Sequence, residues 1–201
     1  MEIEELVSEI ERFFESAAKV DGIEAGYVEK LKPESESDIV AFEKNHELTV
    51  PDDVRRFWRR GLVYRTLSLE GEPSAYAGFD WLSLKILKRD LPMFRGLAEN
   101  FDEGSDEKRV YQQGLPLSYS EPQLVLDPRG GISHVHSANP LTPPVARSLT
   151  EFLEHWLESG CFTSHELSAY FPKIKHLVPG RIPPEKNLWI AYYKKTFSTF
   201  A

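Results

Sequence analysis

Two short β-rich runs joined by a turn set the first constraint on the fold. Gln123-Leu124-Val125-Leu126 and Ile132-Ser133-His134-Val135-His136 flank Asp127-Pro128-Arg129-Gly130-Gly131. The intervening residues are those that hairpin loops demand: Asp and Pro start turns, and glycine takes backbone angles closed to other residues. An antiparallel pair is expected here. Helical patterns lie on both sides of it in the chain, so the expected class is α+β. A mainly antiparallel sheet is packed by helices, with an added N-terminal helix and a C-terminal helical extension.

The helices announce themselves by spacing. Ile3, Leu6, Val7, Ile10, Phe13, Phe14 and Ala17 recur at three- and four-residue steps, one apolar stripe of a helix of about 18 residues. Glu2, Glu4 and Glu5 suit the positive end of its dipole, and Gly22 is its expected stop. The stripe packs on the chain's own core or on a partner. Ser35 or Ser37 caps a second helix carrying Ile39, Val40 and Phe42 to about Asn45. Val50-Pro51-Asp52-Asp53 opens a third, with proline in the first turn and Val54, Phe57 and Trp58 facing inward. Gly61 is its expected left-handed cap. Arg55, Arg56, Arg59 and Arg60 flank that inner face and read as a solvated surface rather than an anion site.

The middle of the chain reads as interrupted strands, Val63–Leu69 and Gly78–Leu82. Ser83 then caps a helix bearing Leu84, Ile86, Leu87 and Leu91 that should stop at Pro92. Residues 99–109 hold seven charged side chains and no aliphatic one, which predicts an exposed mobile loop, either an insertion or a partner-contacting lid. After a bend at Pro140, Pro143 and Pro144, Ser148 and Glu151 form a capping box for a helix carrying Leu149, Phe152, Leu153, Trp156 and Leu157. Thr163 and Glu166 repeat that spacing. Pro183-Pro184-Glu185 can start a last helix bearing Trp189, Tyr192, Tyr193 and Phe197, while alternation at Leu188, Ile190 and Tyr192 keeps a strand open there. Residues 1–162 read as one domain, and 163–201 as an extension packed on it.

Composition narrows the function. With its glycines, the apolar share of the 201 residues is about 47%, as in folded globular chains. No apolar run approaches the ~20 residues of a membrane helix. The opening MEIEELVSEIE is acidic where a secretory leader would be basic, so none is expected. A single cysteine makes no internal disulfide, which suits the cytoplasm. The net charge of −8 is uneven: −11 over residues 1–53, −1 over 54–162 and +4 over 163–201. An acidic front half speaks against a nucleic-acid binder, whose affinity rests on clustered Lys and Arg, and suits a basic partner or plain solubility.

Catalytic signatures do not emerge. No phosphate loop, dinucleotide fingerprint, HExxH, GxSxG or CxxC occurs. His134 and His136 sit two apart on a strand and so point to one face, where His155 or Asp127 could complete a metal set. This pair would be the basis of a metal-dependent hydrolase, the weakest of three readings; an exposed polar strand face is the plainer one. Cys161 follows a helix C-terminus, the wrong end of the dipole for a reactive thiolate, and reads as a buried structural residue. No cofactor and no metal are expected.

The order of these pieces resembles the SUKH superfamily. Asp38 to Lys44 (DIVAFEK) followed by Leu48 to Trp58 (LTVPDDVRRFW) and Gly61 is similar to that group's opening, and the hairpin with Ser148-Leu149-Thr150-Glu151-Phe152-Leu153 to its close. The resemblance spans about residues 36–160. Val50 stands where relatives have Leu, Val54 where they have an aromatic residue, and Gly61 is single. The resemblance implies an α+β domain without catalytic machinery. Bacterial members are cytosolic immunity proteins that neutralise toxins, often nucleases; fungal relatives are cell-wall-assembly adaptors. It implies that this chain binds a protein, a basic toxin domain such as a nuclease, and occludes its active site. A regulatory scaffold is the alternative. Direct nucleic-acid or membrane binding is not expected, and the chain would be a monomer or weak dimer. The candidate contact residues are Glu70, Glu72, Asp80, Asp102, Glu103, Asp106 and Glu121, with Tyr76 and Tyr119 as aromatic anchors.

Overall fold

The fold is known from a computed structural model. The structure described comprises residues 1–119, 123–135, 144–163 and 169–196, with the backbone alone for 72–76 and 196. Helix α1 (Ile3–Ala17) buries the whole of its expected stripe. Strand β1 (Ile23–Leu31) follows, then α2 (Glu36–His46) and α3 (Asp52–Arg60). Strands β2 (Leu62–Leu69) and β3 (Glu72–Ala77) lead to α4 (Leu84–Gly96), a 3-10 turn over Leu97–Asn100, and α5 (Asp106–Gln113). Strands β4 (Leu115–Pro116), β5 (Gln123–Leu126) and β6 (Ile132–Val135) precede α6 (Leu149–Glu158), α7 (Phe171–Ile174) and α8 (Leu188–Thr196).

The strands form two three-stranded antiparallel sheets, ordered β1-β2-β3 and β4-β5-β6, so the fold is α+β. Strand β1 runs against β2 from Ile23 opposite Leu69 to Leu31 opposite Leu62, with a bulge between Ala25 and Val28. The expected hairpin is present, with Gln123 opposite Val135 and Leu126 opposite Ile132. Single bridges join Trp81 to Ser118, just past β4, and Ala77 at the end of β3 to Phe162, just past α6. One core joins all of this. Phe14 of α1, Tyr64 of β2, Phe79, Trp81, and Phe152 and Trp156 of α6 meet as an aromatic cluster that also takes in Trp189 of α8.

Several expectations are corrected. Gly78–Leu82 is not a strand: only Trp81 bridges, and the neighbouring strand is β3 before it. Pro92 lies inside α4, which runs on to Gly96; its ring faces outward and the apolar positions Leu91 and Phe94 hold the helix to the core across it. Residues 99–109 are largely exposed as expected but are not one loop: the 3-10 turn reaches Asn100 and α5 begins at Asp106. Ser105 accepts the N–H of Lys108 (3.1 Å) and opens α5, whose buried Val110 and Tyr111 lie just past the charged run. Pro51 is the cap residue of α3 rather than its first turn, and Gly61 pairs a φ of +69° with an extended ψ of 178°, not the left-handed helical value. A Cβ at Gly61 would lie 2.4 Å from the carbonyl oxygen of Leu31, so close backbone approach as well as angle requires glycine there.

The capping box at α6 is half as expected. Ser148 Oγ accepts the N–H of Glu151 (3.1 Å), but the Glu151 carboxylate returns to the N–H of Arg147 (2.6 Å), one residue earlier. The last segment is helical, capped by Asn187, whose Oδ1 accepts the N–H of Ile190 (2.9 Å). The expectations for Pro140, Pro143, Glu166 and Phe197 lie outside the described residues.

Candidate interaction surface

The acidic front half is met in part within the chain, because the arginines of α3 reach five of its glutamates. Arg56 holds Glu2 and Glu4; Arg60 holds Glu11 at 2.7 Å; Arg55 holds Glu36 and Glu43, the latter at 2.6 Å. Arg59 lies 3.6 Å from Glu36, and Arg181 beyond α7 reaches Glu9. In place of the expected solvated face, Arg56 and Arg60 thus pair with α1 and Arg55 and Arg59 with α2, only Arg59 staying mostly exposed. Hydrogen bonding by Arg56 lowers the pKa of Glu4, and the N–H of Val50, followed by Arg55, lowers that of Glu43.

Six of the nine predicted contact residues have side chains among the described residues. Glu70 is exposed in the β2–β3 turn, and its N–H donates to the carbonyl of Gly22 (3.2 Å). Asp102 is exposed, Glu103 is engaged by Lys108, and Asp106 by Arg109 and, at 3.1 Å, by Arg129. The side chains of Glu72 and Tyr76, and all of Glu121, lie outside the described residues. Two of the nine do come together. The N–H of Tyr119 donates to the carbonyl of Asp80 at 2.8 Å, fixed by the Trp81–Ser118 bridge beside it.

A third residue, absent from the sequence prediction, completes that cluster. Glu29 of β1 is half-buried, and burial together with the charge of Asp80 raises its pKa above the ordinary 4.5. Tyr119, bonded to Asp80 through the backbone, is 51% exposed. Arg89 of α4 also acts near Tyr119, but Asp90 holds its guanidinium with bonds of 2.5 and 2.7 Å. The repulsion between Glu29 and Asp80 is one that an incoming cation would relieve.

The expected exposed face does not hold for His134. His134 is buried, its ring edge-on to Trp189 and Tyr192, and its Nδ1 is hydrogen-bonded to the Tyr192 hydroxyl. His136 lies outside the described residues. His155 Nδ1 accepts the N–H of Leu188 (3.0 Å), and burial lowers its pKa in spite of three nearby glutamates. Asp127 is enclosed by Arg129 and Ser133; burial alone would raise its pKa, but their hydrogen bonds outweigh that and hold it low. No group of three or more His, Cys, Asp or Glu among the described residues is placed to hold a metal ion. Cys161 is fully buried at a φ of +56°, and burial pushes its thiol well above the usual range.

A cleft of 360 Å³ lies between the start of α3, the hairpin turn and the start of α6. Asp53, Asp127 and Ser148 in its wall are each hydrogen-bonded within the chain, so their chemistry is already used. No helix among the described residues is long and apolar enough to cross a membrane. No family model, no curated protein and no solved structure matches the chain.

Proposed function

We propose that this chain is a non-enzymatic, cytoplasmic protein-binding domain of the SUKH type, an immunity protein that neutralises a basic toxin by covering its active site. One observation carries the reading: the charges of Glu29 and Asp80 oppose one another, and the Asp80 backbone is bonded to that of Tyr119, whose side chain is half-exposed. A lysine or arginine from a nucleic-acid-binding cleft would relieve the repulsion between the two carboxylates, and Tyr119 would give the contact a rigid apolar anchor. The same charge would speed encounter with a positive surface.

Co-expression with the toxin encoded beside this gene tests the reading. Growth should be restored, and the two proteins should elute as one complex. Pairing Glu29→Gln with Asp80→Asn, or changing Tyr119→Ala, should weaken the complex by about tenfold or more, the scale of a lost interface anchor. Neither rescue nor a complex would sink the proposal; rescue indifferent to both variants would move the contact elsewhere and remove its structural basis.

A further inference from the structure

A groove of 400 Å³ lies between the C-terminal half of α1 and the β1–β2 pair. Its walls are apolar: Phe14 and Ala18 come from the helix side, Val28 from β1 and Val63 from β2. Strand register explains the second wall. Val28 stands opposite Arg65 and Lys30 opposite Val63, so these four side chains share one face of the pair. Both valines open to solvent there, Val28 43% exposed and Val63 46%. Glu29 lies opposite Tyr64 and belongs to the other face, so the groove is separate from the contact proposed above.

The rim is cationic, in a chain whose net charge is −8. Lys19 and Arg65 line the groove, and Lys30 stands beside Val28 on the shared face. None of the three enters an ion pair among the described residues; Arg65 makes one long bond, 3.5 Å, to the carbonyl of Gly26. Two carboxylates share the rim. Glu11 is spent on Arg60 (2.7 Å) and on the N–H of Val63 (2.9 Å), which leaves Glu15.

We propose that this groove binds a free amphiphile, a medium-length apolar chain carrying one carboxylate. The chain lies along Phe14, Ala18, Val28 and Val63 and takes the exposed faces of the two valines out of water. The carboxylate meets the rim, where the Arg65 guanidinium offers two parallel donors and the long stems of Lys19 and Lys30 bring point charges to it. A groove of this volume falls within the range of small-molecule sites, and apolar walls with a few polar groups at one edge are their usual composition. One negative charge suits the rim better than two, because Glu15 stands on it and would repel a second.

Methyl NMR of the intact chain tests the site, with decanoate, octanoate, decanol or decylammonium added below micelle formation. The Val28 and Val63 methyl signals should shift saturably with decanoate, less with decanol and not with decylammonium. Affinity should rise from octanoate to decanoate by up to about fourfold per methylene. Lys19→Gln and Arg65→Gln, at exposed side chains outside every ion pair, should each weaken decanoate binding by up to about fivefold. Glu15→Gln should strengthen it. The absence of a saturable shift at the two valines, equal binding of decylammonium, or full affinity in the Lys19→Gln, Arg65→Gln double variant would overturn the proposal. A response to vesicles of anionic phospholipid without one to monomeric decanoate would overturn it too, in favour of a membrane surface.

Discussion

The carboxylate of Asp53 serves the first turns of two helices at once. Its Oδ1 accepts the N–H of Val54 (2.9 Å) in α3, and its Oδ2 accepts the N–H of Thr150 (3.1 Å) in α6, 97 residues on. One side chain thereby satisfies two donors that helix starts leave unpaired and fixes α3 against α6.

Asp53→Ala should therefore cost more than an ordinary cap, about 2 kcal/mol, since two amides lose their acceptor. Asp53→Asn should fall between, because its amide oxygen can serve only one of the two. Chemical denaturation of the three proteins side by side measures the order; equal stability of Asp53→Ala and the parent would show that the bridge contributes nothing.

Glu29 makes a prediction with a definite sign in pH. Its folded pKa is raised, first by burial and then by Asp80, so its ionised form opposes folding above that raised value. The penalty fades as pH falls through the folded pKa and is gone below the ordinary 4.5. Glu29→Gln should melt higher than the parent at pH 7, and the two melting curves should converge near pH 4. A variant that melts lower at pH 7 contradicts the repulsion.

Glu43 and Glu4 pull the other way. Their folded values are lowered, Glu43 chiefly by the N–H of Val50 and Glu4 chiefly by Arg56. Each contributes stability present above pH 4.5 and lost as pH falls through the lowered value. Glu43→Gln should flatten the acid limb of a stability-versus-pH curve, while the parent loses stability steadily below pH 4.5.

Gly61 and Gly96 should respond oppositely to alanine. At Gly61 the new Cβ meets the Leu31 carbonyl and φ is positive with an extended ψ, so Gly61→Ala should destabilise by about 3 kcal/mol or more. Gly96 closes α4 with nothing within 4 Å of the position, and Gly96→Ala should stabilise by about 0.5–1 kcal/mol. Thermal melts of the two variants check both signs.

Cys161 should be silent to a thiol reagent in the folded protein and react fully in denaturant, because it is enclosed and its thiolate is disfavoured. Rapid labelling of the native protein would contradict its burial.

Much of the fold was legible in the chain because its signals are local. The α1 stripe, the Ser35 and Ser83 caps and the β5–β6 hairpin each rest on residues within a few positions of one another. Strand β1 had no such signal. Only Ile23 and Leu31 at its ends are buried, and the exposed run between them shows no alternation, so its extended form comes from pairing with β2. Helix α5 was hidden for a related reason: its polar face is dense with charge, and its two anchors to the core, Val110 and Tyr111, come late.

The candidate surface was half legible. Asp80 and Tyr119 could be named as an acidic and an aromatic residue, but their union depends on a backbone bond between segments 39 residues apart, and Glu29 joins them from β1. Charge, likewise, could be counted along the chain and not located. Part of the −11 of the first 53 residues is met only once α3 packs against α1 and its arginines reach five of those glutamates. The sequence by itself determined the α+β class, most helices and the hairpin, because spacing, caps and turns act over a few residues. Only the tertiary structure decided which charges are spent and which remain available, because an ion pair depends on distance in space, and residues such as Arg56 and Glu4 are neighbours only once the chain has folded.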